Sequence, residues 1–199
     1  MSRAAQIIHG FAEHATPVLA ERCTPTRCLN ATRVCIDVMR AFGIKARPVS
    51  VQAIVMNGIF RARFEALGRW PTEAEMDAWV AEGGWAIGVD TKGTDEASNA
   101  WGGHLVAVVQ QRWLVDAAAI QMRRPERGIL IPDIFTGEVQ RPFLVGRGSA
   151  AFESGSGAVL NYRARLDDES WKAMSGFQPH EFNTEMAREI AGRIRRRGT

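Results

Sequence analysis

The chain is poor in cysteine and has no long apolar run. It holds 3 Cys among 199 residues, and nothing approaches the ~20 consecutive apolar side chains that span a bilayer. No membrane role is expected. Met1 to Ala20 is interrupted by His9, Glu13, His14 and Pro17, so it lacks the continuous apolar segment of a secretory signal. Three cysteines without such a signal point to a reducing, cytoplasmic compartment, where a thiol serves chemistry rather than cross-linking. No segment repeats at a solenoid period. There is no C-x-x-C pair, and the Cys and His spacings fit no zinc site, so no metal is expected. Gly102-Gly103, Gly146-Arg147-Gly148 and Gly155-Ser156-Gly157 form no phosphate-cradling motif, and no cofactor is expected.

What remains is ordinary globular composition, 46% hydrophobic and 24% charged, at the length of about one domain. Such a chain buries about 70% of its unfolded surface and needs no disulfide or metal to hold it. The net charge of +3 is concentrated at one end, in Arg188, Arg193, Arg195, Arg196 and Arg197. That run reads as the solvated end of a basic helix at about 181–197, complementing the helix dipole. Without a recognition motif or interleaved aromatics, nucleic acid is not an expected partner.

Residues 1–199 read as a single domain. A loosely helical first twenty residues leads to a turn at Thr24-Pro25-Thr26-Arg27. From Cys28, Leu29, Thr32, Val34, Cys35, Val38, Met39 and Phe42 form one helical stripe that stops at Gly43. Arg47 to Val55 reads as a strand. A helical insertion follows at about 57–99, with a helix from Phe60 to Leu67, a second opened by the capping box Thr72-Glu73-Ala74-Glu75, and a polar loop from Thr91 to Asn99. His104–Val109 and Trp113–Asp116 read as strands of an antiparallel hairpin about Gln110-Gln111, although Gln-Gln is poor turn chemistry. Residues 125–148 offer one or two more strands, and 146–157 reads as a Gly/Ser-rich surface loop or linker. Helices over 167–174 and 181–197 close the chain. The fold class is α+β with an antiparallel sheet.

Three residues carry candidate chemistry. Cys28 opens a helix after a Pro-containing turn, where unpaired N–H groups and the positive end of the dipole favour a thiolate and can receive an oxyanion. His104 opens a strand behind Trp101-Gly102-Gly103, and Asp116 ends the next strand. Hydrogen-bonded to one ring nitrogen of His104, Asp116 leaves the other nitrogen to the thiol. Asn30, Trp101 and Gly103 are candidate substrate-binding residues. Cys23 and Cys35 read as bystanders, and His9, His14 and His180 lack such company.

The segment Cys28-Leu29-Asn30-Ala31-Thr32 … Phe42-Gly43-Ile44-Lys45-Ala46-Arg47-Pro48-Val49 resembles the transglutaminase-like (papain-like) cysteine enzymes. In that signature a nucleophilic Cys begins a helix, and Gly-Ile-x-Ala-Arg-x-Val leads into a strand. His104-Leu-Val-Ala-Val-Val and Trp113-Leu-Val-Asp116 resemble the His- and Asp-bearing strands of the family. The resemblance covers roughly residues 20–55 and 100–120. It implies a core in which the catalytic Cys, at a helix N-terminus, packs on an antiparallel sheet bearing His and Asp. It further implies an enzyme that cleaves or transfers an acyl or amide group through a thioester, on a protein or peptide substrate or a small-molecule amide. His104-Leu105 and Cys28-Leu29-x-Asn30 also resemble arylamine N-acetyltransferases, which use acetyl-coenzyme A. A non-catalytic interaction module that keeps the fold with an idle triad is the third alternative.

Overall fold

The computed structural model describes residues 1–23, 28–69, 71–89, 94–95 and 100–197. Six α-helices, α1 (Arg3–Arg22), α2 (Cys28–Ala41), α3 (Gly58–Leu67), α4 (Glu73–Ala81), α5 (Arg141–Leu144) and α6 (Glu181–Arg197), accompany nine strands among these residues. The strands are β1 (Ala46–Met56), β2 (Ala86–Val89), β3 (Thr94–Asp95), β4 (Ala100–Trp101), β5 (His104–Val109), β6 (Trp113–Asp116), β7 (Phe135–Glu138), β8 (Ser149–Glu153) and β9 (Val159–Ala164). The α+β class and the antiparallel sheet expected from the sequence are both present.

Strand β1 organises the sheet. Its first half pairs with β5 and its second half with β2 on the same edge, while β9 takes the other edge. The order is β7-β6-β5-β1-β9-β8, every pair antiparallel. The two outer strands come back towards each other: the rings of Phe135 in β7 and Phe152 in β8 are 4.9 Å apart. The sheet is therefore a nearly closed, barrel-like surface with two differently occupied faces. Alternation along each strand decides which residue goes where. Val51, Val106, Leu114 and Leu160 fill the barrel, whereas Leu105, Ala107, Val109 and Val115 meet the apolar stripes of α1, α2 and α6. Helix α2 stops where expected, with Gly43 in left-handed backbone at φ +70°.

The structure corrects three sequence expectations. The Gly/Ser-rich stretch 146–157 contains strand β8, and the strand β9 that follows it was not expected at all; both belong to the main sheet. The helix expected over 167–174 is instead a pair of short 3₁₀ turns, Ser170–Ala173 and Ser175–Phe177. There the Asp168 carboxylate accepts from the Ser170 amide, a local alternative to helix formation. The insertion at 57–99 is only partly helical, since β2 pairs with β1. Its capping box forms as expected, and of the loop expected over 91–99 all but Thr94 and Asp95 lies outside the described residues. The turn at Thr24–Arg27 also lies outside them.

Two further expectations gain detail. Gln110 and Gln111 do make the tight turn, both at positive φ, 53° and 51°, and the Arg112 amide donates to the Val109 carbonyl across it. The basic end of α6 is solvent-exposed as expected at Arg195, Arg196 and Arg197, and it makes surface contacts as well: Arg193 pairs with Glu189, Arg197 with Glu13, and Arg195 donates to the Ala41 carbonyl at the end of α2. No helix among the described residues is long and apolar enough to cross a membrane.

Candidate active site

The first turn of α2 lies against the start of β5, held by a buried hydrogen bond of 2.7 Å from the Thr32 hydroxyl to the Leu105 carbonyl. Thr32 stands one turn after Cys28, and Leu105 directly follows His104. That single contact brings Cys28 and His104 to the same place. Because helix N–H groups of a first turn lack intrahelical acceptors, the Cys28 sulfur sits where donors are available to a developing anion.

Cys28 is 5% exposed, and His104 and Asp116 are fully buried. The His104 Nε2–H donates to Asp116 Oδ2 at 2.8 Å. Its Nδ1 is buried without a hydrogen-bond partner, and the remaining group that acts on the ring is the Cys28 sulfur. The sulfur also lies 3.9 Å from the Gly103 carbonyl oxygen. Burial on its own lowers the basicity of the imidazole. The Asp116 carboxylate, by charge and hydrogen bond, and the Cys28 sulfur more than offset this and push the His104 pKa up to about 10.

Asp116 is held from three sides. Oδ2 also accepts from the Tyr162 hydroxyl at 2.9 Å, and Oδ1 accepts from the Ala118 amide at 3.0 Å. Its carboxylate is thus fixed in place by three donors on its two oxygens, which is what an orienting group requires. Tyr162 is itself buried on β9. Burial and the neighbouring carboxylate both raise its pKa well above the usual phenol value, so it stays a donor.

The structure places Cys28, His104 and Asp116, the three candidate catalytic residues, in one buried group. Gly103 and Trp101 adjoin it. A Cβ on Gly103 would stand 2.4 Å from the Trp101 ring, so only glycine lets the indole cover this backbone while its carbonyl faces the sulfur. The Trp101 Nε1–H donates to Ser170. Asn30 is a correction. Two residues on from Cys28, it is turned about 200° around the helix, and its amide donates to Asn183 of α6 at 3.1 Å, joining the two helices instead of facing substrate. Tyr162 and Thr32 were missed. The available signal for Tyr162 was its singularity, one Tyr in the chain, within an alternating run Val159–Ala164.

None of the three cysteines is in a disulfide. Among the described residues no three His, Cys, Asp or Glu side chains gather in a metal-holding group. No protein-family model, no curated protein and no solved structure matches the chain.

Proposed function

We propose that the protein is a thiol-dependent enzyme with a Cys28-His104-Asp116 triad on a transglutaminase-like (papain-like) core, cleaving or transferring an acyl or amide group. The observation that supports it most is the buried His104 ring, held by Asp116 at Nε2 with Nδ1 unpartnered, beside the Cys28 that opens α2. In the proposed reaction, Cys28 passes its proton to His104 and the sulfur attacks the carbonyl carbon, forming the S–C bond. The negative charge moves to the carbonyl oxygen, which the first-turn amides of α2 receive. The C–N bond then breaks, the His104 proton goes to the leaving amine, and a thioester remains. Water, or a second amine, deprotonated by His104, attacks the thioester and regenerates the thiol. A protein, a peptide or a small-molecule amide supplies the acyl group.

The test is native alkylation. Iodoacetamide at neutral pH should modify Cys28 selectively by intact mass and peptide mapping, and His104→Ala should slow this by tenfold or more. Labelling of Cys28 no faster than that of Cys35 would sink the proposal. One observation favours the non-catalytic alternative, the near-complete burial of all three groups. That alternative requires an unreactive Cys28 in the same experiment.

A further inference from the structure

A cavity of about 130 Å³ is lined by residues that neighbour two members of the triad along the chain, Ala31 one turn after Cys28 and the Ala117-Ala118 pair directly after Asp116. Leu19 and Ala20 of α1, Ala31 of α2, the Ala117-Ala118 pair after β6, and Ile134 supply its walls. Its position relative to the chemistry follows from helix and chain geometry. Ala31 is three residues after Cys28, and side chains at that spacing have Cβ atoms about 5–6 Å apart. Ala117 directly follows Asp116, and the Ala118 amide is one of the donors to that carboxylate. The cavity therefore shares one wall with the nucleophile and another with the orienting group. Four alanines make the space by being small.

The lining also states what kind of group it accepts. Three of its side chains carry polar atoms: the Thr16 hydroxyl donates to the Ala12 carbonyl of its own helix, the Cys23 thiol lies against the Met186 sulfur, and Asp133 accepts from Arg123 through Oδ1. The rest of the lining is aliphatic, and its one charged side chain, Asp133, is an anion that disfavours an anionic ligand. Ala20 is exposed and Ile120 half-buried, so the space opens to solvent. An apolar cavity of about 150 Å³ accepts a benzene-sized molecule.

Resting on the reading of Cys28 as nucleophile, we propose that this cavity is the acyl subsite of the enzyme. It takes a short, uncharged, branched or aromatic group of roughly four to six carbons carried on the carbonyl carbon that reacts with Cys28. A chain starting from the thioester carbonyl reaches the Ala31 wall within two or three bonds. The substrate class is then acyl donors with a compact apolar residue next to the scissile bond, not long-chain or anionic acyl groups.

The experiment uses p-nitrophenyl acetate, isovalerate and octanoate. In each, the Cys28 S–C bond forms, the ester C–O bond breaks and p-nitrophenolate leaves, so only the acyl group varies. The readouts are the p-nitrophenolate burst and the acyl adduct on Cys28 by mass. Each buried methylene is worth a factor of about 4, and isovalerate should acylate at least tenfold faster than acetate, with octanoate slower than isovalerate. The exposed substitution Ala20→Leu should collapse the isovalerate preference by obstructing the mouth. Ile120→Ala should instead shift the preference towards the longer chain. Rates that fall steadily from acetate to octanoate while iodoacetamide still selects Cys28, or an isovalerate preference untouched by both variants, overturn the subsite and leave the triad standing. A Cys28 inert to the esters and to iodoacetamide overturns both.

Discussion

The first and third turns of α2 each carry a cysteine, and the two could hardly be used more differently. Cys28 and Cys35 are seven residues apart and so lie on nearly the same helical face. Both are buried, at 5% and 0% exposure. Cys35 is enclosed by apolar side chains, and burial pushes its thiol up, far from the range where a thiolate forms. Cys28 differs in what the sheet presents to it. At the level of Cys35 the sheet's helix-facing side is Leu, Ala and Val. At the level of Cys28 the strands β5 and β6 begin and end, and His104 and Asp116 stand there, backed by Tyr162. On the proposed function, reactivity is set by which end of a strand pair the thiol meets, because burial alone makes a thiol inert.

The most damaging substitution for this contrast is Asp116→Ala. It leaves His104 Nε2, the Tyr162 hydroxyl and the Ala118 amide without their acceptor in a fully buried place. Removing one partner of a buried charged pair costs about 3–5 kcal/mol, so urea unfolding should show a loss of that size, and Cys28 should become as unreactive as Cys35. A loss below about 1 kcal/mol would mean that the network is not closed as described.

The next effect is one of pH. The His104 imidazole titrates near 6.5 when unfolded and at about 10 in the folded protein. A group raised in this way stabilises the fold fully below about pH 6.5; the contribution shrinks above that and is lost as pH rises through 10. Unfolding free energy should therefore fall between pH 7 and 10 more steeply in the natural chain than in His104→Gln. Equal slopes would remove the charged pair from the account. Tyr162→Phe is milder. It deletes one donor to a carboxylate, worth about 1.5–3 kcal/mol. The freed Oδ2 becomes a stronger acceptor for His104, so the alkaline limb of the Cys28 labelling profile should move to higher pH. A purely structural tyrosine would lower stability and leave that limb in place.

The legible parts of the site were those marked by local punctuation. Gly43 after the helix and Gly102-Gly103 before His104 sit at element ends, and chemistry-bearing residues at element ends stand out in a linear reading. Strand β9 has no such mark. The Gly155-Ser156-Gly157 run before it reads as loop and no break follows it, its outward positions are Asn161 and Arg163, and its partner β1 lies about a hundred residues earlier. The Tyr162–Asp116 bond spans 46 residues and two non-adjacent strands, so periodicity carries no trace of it. Asn30 failed for a different reason. Nearness to Cys28 in sequence suggested nearness to substrate, while the helical rotation carried its side chain to α6.

The smallest effect tests whether the contrast between the two thiols depends on the turn that joins β5 to β6. Gln110 and Gln111 both adopt left-handed backbone, which disfavours side chains larger than glycine by about 1–2 kcal/mol per residue. The turn is accordingly a poor source of geometry. The hairpin is held by its flanks, β5 by β1 and β6 by β7, and these fix the distance between His104 and Asp116. Replacing the pair by Asn-Gly, the dipeptide suited to this turn, should therefore raise unfolding stability by about 1 kcal/mol and leave the Cys28-to-Cys35 labelling ratio unchanged. A changed ratio would show that the strained turn tunes the His104–Asp116 contact, and the difference between the two cysteines would then originate in the hairpin turn instead of the strand pairing.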